Sequence, residues 1–194
     1  MIRPVDRPVD ERGGMDYLGP EFLTWLWWRA SVAPEFKHAD GTAVYVHVDE
    51  YLELRGERAA ARKTTLRSGM PAASAEGKVA LRGGKVVTSA RLILARGEEE
   101  TTFTLRGEDL DVSSARLRVP EGDTAEERLA ASLVAARRLY DDLDLCFRSF
   151  LDVRCGDAWD AEAARVRAWA GAPSEEERSF GLQTGLQGGV STAE

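Results

Sequence analysis

The sequence predicts an α+β domain, an antiparallel β-meander covered on one face by a long helix and a tryptophan-rich helix. Three observations carry that reading. The stretch Leu18 to Arg29 holds three of the five tryptophans within four residues, at helical spacing with other apolar groups. Between Lys85 and Val119, three segments alternate apolar and polar side chains and are joined by short glycine-containing turns. From Leu129 to Phe150, apolar residues recur at steps of four and three, the signature of a heptad helix.

Residues 1–15 repeat Arg-Pro-Val-Asp and then pass through Glu-Arg-Gly-Gly, a composition that predicts a flexible leader. The aromatic helix follows from about Pro20, suited to a first turn, to about Ala30, and Pro34 prevents its continuation. Phe22, Trp25 and Leu26 share one face, Trp28 and Arg29 close the next turn, and Trp27 points elsewhere. A helix apolar around most of its circumference is either buried between two layers or shared with a partner. Under the second reading Phe22, Trp25 and Trp28 form an interface.

Asp40-Gly41 marks a turn before a strand, Thr42 to Asp49, with Val44, Val46 and Val48 on its buried face. The chain then either continues as strand through Leu52 and Leu54 or ends at Gly56. Ser74 is placed to cap a short helix closed by Gly83-Gly84. The meander strands are expected at 85–96, 99–107 and 110–119. Their apolar face holds Val86, Ala90, Leu92, Leu94, Phe103, Leu105, Ala115, Leu117 and Val119. Their other face shows Lys85, Ser89, Arg91, Thr102, Thr104, Arg106, Ser114, Arg116 and Arg118.

Thr124 and Glu127 have capping-box spacing. Behind them Leu129, Leu133, Ala136, Tyr140, Leu143, Phe147 and Phe150 predict a helix of about 30 residues and about 45 Å. It should pack across the apolar sheet face, with length to extend beyond it into a partner. Asp157 is placed to cap a last helix holding Trp159, Val166 and Trp169. Residues 172–194, rich in Gly, Ser and Gln, are expected to form a disordered tail, leaving 16–171 as a single domain.

Composition bounds the function. Hydrophobic residues at 43% and charged residues at 30% fit an ordinary globular chain, and no apolar run approaches the roughly 20 residues of a membrane span. Cys146 and Cys155 lie nine positions apart, about 13 Å along a helix against the roughly 7 Å limit for a disulfide, so free thiols and a cytoplasmic location are expected. The formal charge of −7 hides an asymmetry. From Arg55 to Arg96 there are ten basic and two acidic residues, making that segment +8 and the remainder −15. Such a segment either attracts phosphates or is a solvated stretch balanced by its neighbours.

Catalytic signatures are missing. His38 and His47 have no ligand partners at metal-binding spacing, and neither a phosphate-binding glycine loop nor a nucleophile elbow occurs. Asp141, Asp142 and Asp144 could in principle hold Mg²⁺, but Asp141 and Asp144 read better as a solvated helix face. No enzymatic activity, metal or cofactor is expected.

Two segments resemble the RdgC-like family of recombination-associated DNA-binding proteins. One is Leu-Gly-Pro-Glu-Phe-Leu-Thr-Trp-Leu-Trp from Leu18. The other is the basic Ala61-Arg-Lys-Thr-Thr-Leu66 with Ala75-Glu-Gly-Lys-Val-Ala-Leu-Arg-Gly-Gly-Lys-Val-Val-Thr-Ser-Ala-Arg-Leu-Ile-Leu94. They run in the family's order over about 18–94, and the strand-then-helix pattern continues to about Gly156, matching only the C-terminal half of a full-length member. The resemblance implies binding of double-stranded DNA without strong sequence preference, homo-oligomeric rings, nucleoid association and contact with a recombinase or other recombination protein. A chain of half the family length would need more subunits or an open clamp. By position Arg62 and Lys63 match the family's basic pair, and Lys85 matches the lysine of Gly-Lys-Val-Val-Thr. The strand pattern itself adds Arg67, Arg91 and Arg106 as phosphate contacts. The competing reading is a protein-interaction module that keeps the fold without DNA.

Removing residues 1–15 and 172–194 should leave the melting temperature of 16–171 within a few degrees of the full chain, measured by circular dichroism. A truncated chain that unfolds would show that the domain limits are wrong.

Overall fold

The computed structural model describes residues 18–56, 63–67, 74–119 and 124–171. The expected leader, 1–15, and tail, 172–194, lie outside the described residues, as do residues 16–17 of the expected domain. In chain order the elements are α1 (Leu18–Val32), β1 (Glu35–Lys37), β2 (Ala43–Arg55), β3 (Lys63–Arg67) and α2 (Ala75–Arg82). There follow β4 (Val86–Arg96), β5 (Glu99–Arg106), β6 (Val112–Arg116), α3 (Ala125–Arg154) and α4 (Trp159–Gly171).

All strand pairings are antiparallel, in the order β1-β2-β4-β5-β6, and β3 pairs with the second half of β2 on the edge that β1 shares. Strand β2 does continue past Asp49, burying Leu52 and Leu54 completely. The β4–β5 turn is tight because Gly97 takes φ +61°, a conformation costly for residues with a side chain.

Bulges alter the alternation that the sequence suggests. Glu53 pairs with Ser89 but Leu54 with Val87, so Thr88 is an extra residue in β4. The parity shift buries Val87 completely and leaves Val86, expected inside, only half-buried on the other face. A second shift in β6, where Ser114 takes φ +52°, shortens that strand and leaves Ala115 exposed. Leu117 and Val119, expected on the apolar face of a longer strand, follow it outside regular structure and are half-buried.

Helix α1 lies directly on β2 and β4, and α3 and α4 close over it from the other side. It is therefore the middle layer. Phe22, Leu23, Trp25, Leu26, Trp27 and Trp28 are all buried. Phe22 meets the Phe147 ring edge-on at 5.1 Å, Trp25 packs against Phe36 and Phe150, and Trp27 stands at 90° to Trp169 at 5.0 Å. Phe22, Trp25 and Trp28, expected at an interface, are thus filled in by this chain's own sheet and helices.

One polar residue in that apolar helix has a specific task. Thr24 is 1% exposed, and its Oγ1 accepts the Val87 N–H at 3.0 Å while donating to the Pro20 carbonyl at 2.8 Å. The β4 bulge takes the Val87 N–H off the ladder, and the threonine satisfies it. At the start of α1 the backbone itself approaches the β5–β6 turn: a Cβ on Gly19 would lie 1.7 Å from the Gly107 carbonyl oxygen.

Helix α2 has Ser74 as its N-cap, the hydroxyl accepting from Gly77 N. The capping box of Thr124 and Glu127 opens α3, which spans 30 residues. Its buried face is Leu139, Asp142, Leu143, Cys146 and Phe150, rotated from the heptad stripe. Of that stripe only Leu143 and Phe150 are buried, and Leu129, Leu133 and Tyr140 face solvent. Helix α4 starts at Trp159, so Ala158 rather than Asp157 occupies its cap position. Cys146 and Cys155 are free thiols. No helix among the described residues is long and apolar enough to cross a membrane.

Replacing Thr24 with valine keeps the shape but leaves the buried Val87 N–H unpaired, at a cost of about 1–3 kcal/mol. Thermal melting should fall by about 2–4 °C per kcal/mol in a domain of this size, whereas Thr24→Ser should stay close to wild type. Equal melting of all three would contradict the role assigned to the hydroxyl.

Candidate nucleic-acid interface

Because α1 and α2 cover one side of the sheet, the opposite side carries no helix among the described residues. Register identifies what points there. Strand β3 places Lys63 beside Arg55, Thr65 beside Glu53 and Arg67 beside Tyr51. Strands β4 and β5 place Arg106 beside Ser89, Arg91 beside Thr104 and Ile93 beside Thr102, and β6 adds Arg116 beside Thr102. Arg55, Lys63, Arg67, Arg91, Arg106 and Arg116 thus share one face with serines, threonines and His47.

Acidic residues are threaded through the same face. Glu53 is the hub, only 5% exposed although it points away from the helices. Its carboxylate accepts from Tyr51 Oη at 2.8 Å and Arg55 Nε at 2.8 Å, and lies 2.6 Å from Lys63 Nζ. Burial pushes this carboxyl up, but hydrogen bonds from Lys63, Tyr51 and Arg55 and the Arg55 charge outweigh it, bringing the pKa from 4.5 to about 2. Tyr51 is raised by its own burial and by the adjacent Glu53.

The sequence-predicted contacts divide accordingly. Arg62 lies outside the described residues. Lys63 is half exposed but paired with Glu53. Arg67 is exposed, with its guanidinium 5.8 Å from the Tyr51 ring centroid. Lys85 precedes β4, where its Nζ donates to Thr64 Oγ1 at 2.6 Å, joining β3 to β4 rather than standing clear. Arg91 Nε sits 2.9 Å from Asp49 Oδ2, close enough for an ion pair but not aligned as a hydrogen bond. Arg106 forms pairs of 2.9 Å with both Asp109 and Asp111, and its side chain remains 55% exposed. Lys63, Arg67, Arg91 and Arg106 therefore share a face, but Lys85, expected there, reaches Thr64 beside the buried Leu54 and so lies on the helix side.

Two polar groupings escape the sequence reading. Glu53 had no signal beyond the outward alternation Tyr51-x-Glu53-x-Arg55. The second joins His38, Arg96 and Asp142 where α3 meets the end of the sheet. Asp142, read as part of an acidic run, is 5% exposed, accepts from Arg96, and lies 2.7 Å from His38 Nε2. That nitrogen also lies 2.9 Å from Arg96 Nη2, so it either donates to the carboxylate or accepts from the guanidinium. No local pattern marks residues 104 positions apart. Asp141 and Asp144 do face solvent, paired with Arg137 and Arg148. Among the described residues, no three His, Cys, Asp or Glu side chains are grouped to hold a metal.

No protein-family model matches the chain, and comparison with curated proteins finds no match. The residues of this face are therefore the ground for a functional reading.

The direction of the Glu53 shift fixes a pH dependence. A folded-state pKa of about 2 against 4.5 means that its contribution to stability is present above about pH 4.5 and lost as pH falls towards 2. The melting difference between wild type and Glu53→Gln should be full near pH 7 and shrink steadily below about pH 4. A difference independent of pH would contradict the charged hub.

Proposed function

We propose that the protein binds double-stranded DNA without sequence preference, through the helix-free face of its sheet. The observation that carries this reading is the shared outward register of Arg55, Lys63, Arg67, Arg91, Arg106 and Arg116 among hydroxyl side chains. Arginines and lysines give affinity for phosphate, and Ser and Thr hydroxyls add hydrogen bonds that fix position without reading bases. The resemblance to RdgC-like proteins supports the same reading, and with it a role in recombination, at the nucleoid, alongside a recombinase. The chemistry proposed is binding only.

The carboxylates on this face set the terms. Exposed ion pairs such as Arg106 with Asp109 and Asp111 are worth at most about 1 kcal/mol, so a phosphate can replace them at little cost. Glu53 is different, since it is buried and multiply bonded, and it keeps Lys63 and Arg55 in place rather than releasing them. Arg67, Arg106 and Arg116 are therefore the primary phosphate contacts, with Arg91 held in reserve by Asp49. A protein-interaction reading has its own observation, the exposed apolar residues of α3, but that surface is separate from this face.

Fluorescence anisotropy with two unrelated duplexes, at salt from about 50 to 200 mM, tests the proposal. The variant with Arg67, Arg106 and Arg116 changed to alanine should lose about 0.9 from the log–log salt slope per contact, equally on both duplexes. Changing Asp109 and Asp111 to asparagine should tighten binding. Absence of wild-type binding at about 50 mM salt, or an unchanged slope in the triple variant, would overturn it.

A further inference from the structure

The chain has two histidines, and the fold sends them to opposite sides of the sheet. His38 lies where the end of the sheet meets α3, its Nε2 2.7 Å from Asp142 Oδ1. His47 stands in β2 between Val46 and Val48, both of which pack into the core on the helix side. Its ring therefore projects from the helix-free face, where it is exposed. Register sets it at one end of a row that crosses the sheet, with His47 beside Ile93, Ile93 beside Thr102 and Thr102 beside Arg116. Three interstrand steps separate the two ends by about 14 Å.

We infer that His47 is a phosphate contact of this face whose charge follows pH, so that duplex binding takes up a proton. The inference rests on the DNA-binding reading of the face and adds to it a residue and a means of regulation. Most cations of the face are already held by carboxylates. Arg55 and Lys63 pair with Glu53, Arg91 with Asp49, and Arg106 with Asp109 and Asp111. The His47 ring and the Arg116 guanidinium have no hydrogen bond or ion pair among the described residues. Between them Thr102 offers a hydroxyl, the kind of group that fixes a phosphate without reading a base. At this level of the sheet β4 and β5 contribute Ile93 and Thr102, so His47 supplies the positive charge at the β2 end of the row and Arg116 that at the β6 end.

The charged groups around the ring are accounted for. Asp49 and Glu50 follow it on β2, and Asp49 is engaged by Arg91 of β4 at 2.9 Å. Glu35 of β1 lies beside Tyr45, within 3.4 Å of its hydroxyl and 3.5 Å from Lys37 Nζ. Glu100 of β5 stands opposite Ala95, one row beyond Thr102. Histidine is the side chain whose ordinary charge change falls between about pH 5 and 8. A phosphate beside the ring favours its charged form, so the bound protein holds the proton to higher pH than the free protein does. The added affinity is therefore full at the acid end of that range and is lost as pH rises and the bound ring gives up its proton. One exposed charge pair of this kind changes affinity by a factor of about five.

Fluorescence anisotropy of the full chain with one duplex, at about 100 mM salt and from about pH 6 to about pH 8, tests it. Wild type should bind about fivefold more tightly at the acid end, and its log–log salt slope should steepen there by up to about 0.9, the mark of one more phosphate contact. His47→Gln should bind like wild type at about pH 8 and show neither change. His47→Lys should keep the tight binding across the whole range, which damage to the fold could not produce. His38→Gln should retain the wild-type pH response, because His38 is bonded on the helix side. Affinity that ignores pH, or a pH response that survives His47→Gln, would overturn the His47 contact while leaving DNA binding in place. Absence of binding at every pH, even at about 50 mM salt, would overturn the DNA-binding reading itself and this contact with it.

Discussion

Helix α1 has no solvent-facing side over most of its length, with the sheet beneath it and α3 and α4 above. Six consecutive-turn apolar residues, three of them tryptophans, leave water together, each worth about 1.5–3 kcal/mol when fully buried. Polar groups on such a helix are mostly answered, although Trp27 Nε1 is buried without a hydrogen-bond partner among the described residues. Thr24 is answered by the β4 bulge, and Trp25 Nε1 donates to the buried Glu162 at 3.3 Å. Glu21, at the start of the helix, is answered by Arg154 at the end of α3, whose guanidinium also lies 4.7 Å from the Trp159 ring centroid. Placing α1 thereby places α3 and α4.

The same arrangement decides what the rest of the sheet is free to do. With every described helix on one side, the outward residues of β2 to β6 meet mainly one another among the described residues, and they form a lattice of opposite charges. A chain with net charge −7 can still present basic groups to phosphate if its acids are paired locally rather than spread over the binding face. On the proposed DNA face, Glu53 and Asp49 hold cations in place, while the carboxylates of Asp109 and Asp111 compete with phosphate. Salt acts on both kinds of pair, so binding and carboxylate competition weaken together.

Much of the fold was legible locally. The aromatic helix, the Ser74 cap, the Thr124–Glu127 capping box and the meander all rest on interactions within a few residues. What was not legible came from long-range geometry. A bulge at Thr88 moved Val87 inward in place of Val86, and no pattern of alternation encodes that extra residue. The α3 stripe was correctly seen as apolar, but apolar spacing does not say which residues find cover, and the core claimed the side with Leu139 and Cys146 instead. For the candidate site, the sequence marked Arg91 and Arg106 as cations sharing a face, and named Lys63 and Arg67 as phosphate contacts without placing them on it. It was silent on Glu53 as their hub and on Asp142, whose partners lie far away in the chain.

The central claim is that the helix-free sheet face receives phosphate. NMR of arginine Nε–Hε groups during titration with a short duplex reads that face directly. The account predicts shifts at Arg67, Arg106 and Arg116, smaller ones at Arg91, and none at Arg154, which is enclosed by Glu21 and Trp159. Shifts confined to the arginines of α3, or none anywhere at low salt, would contradict it.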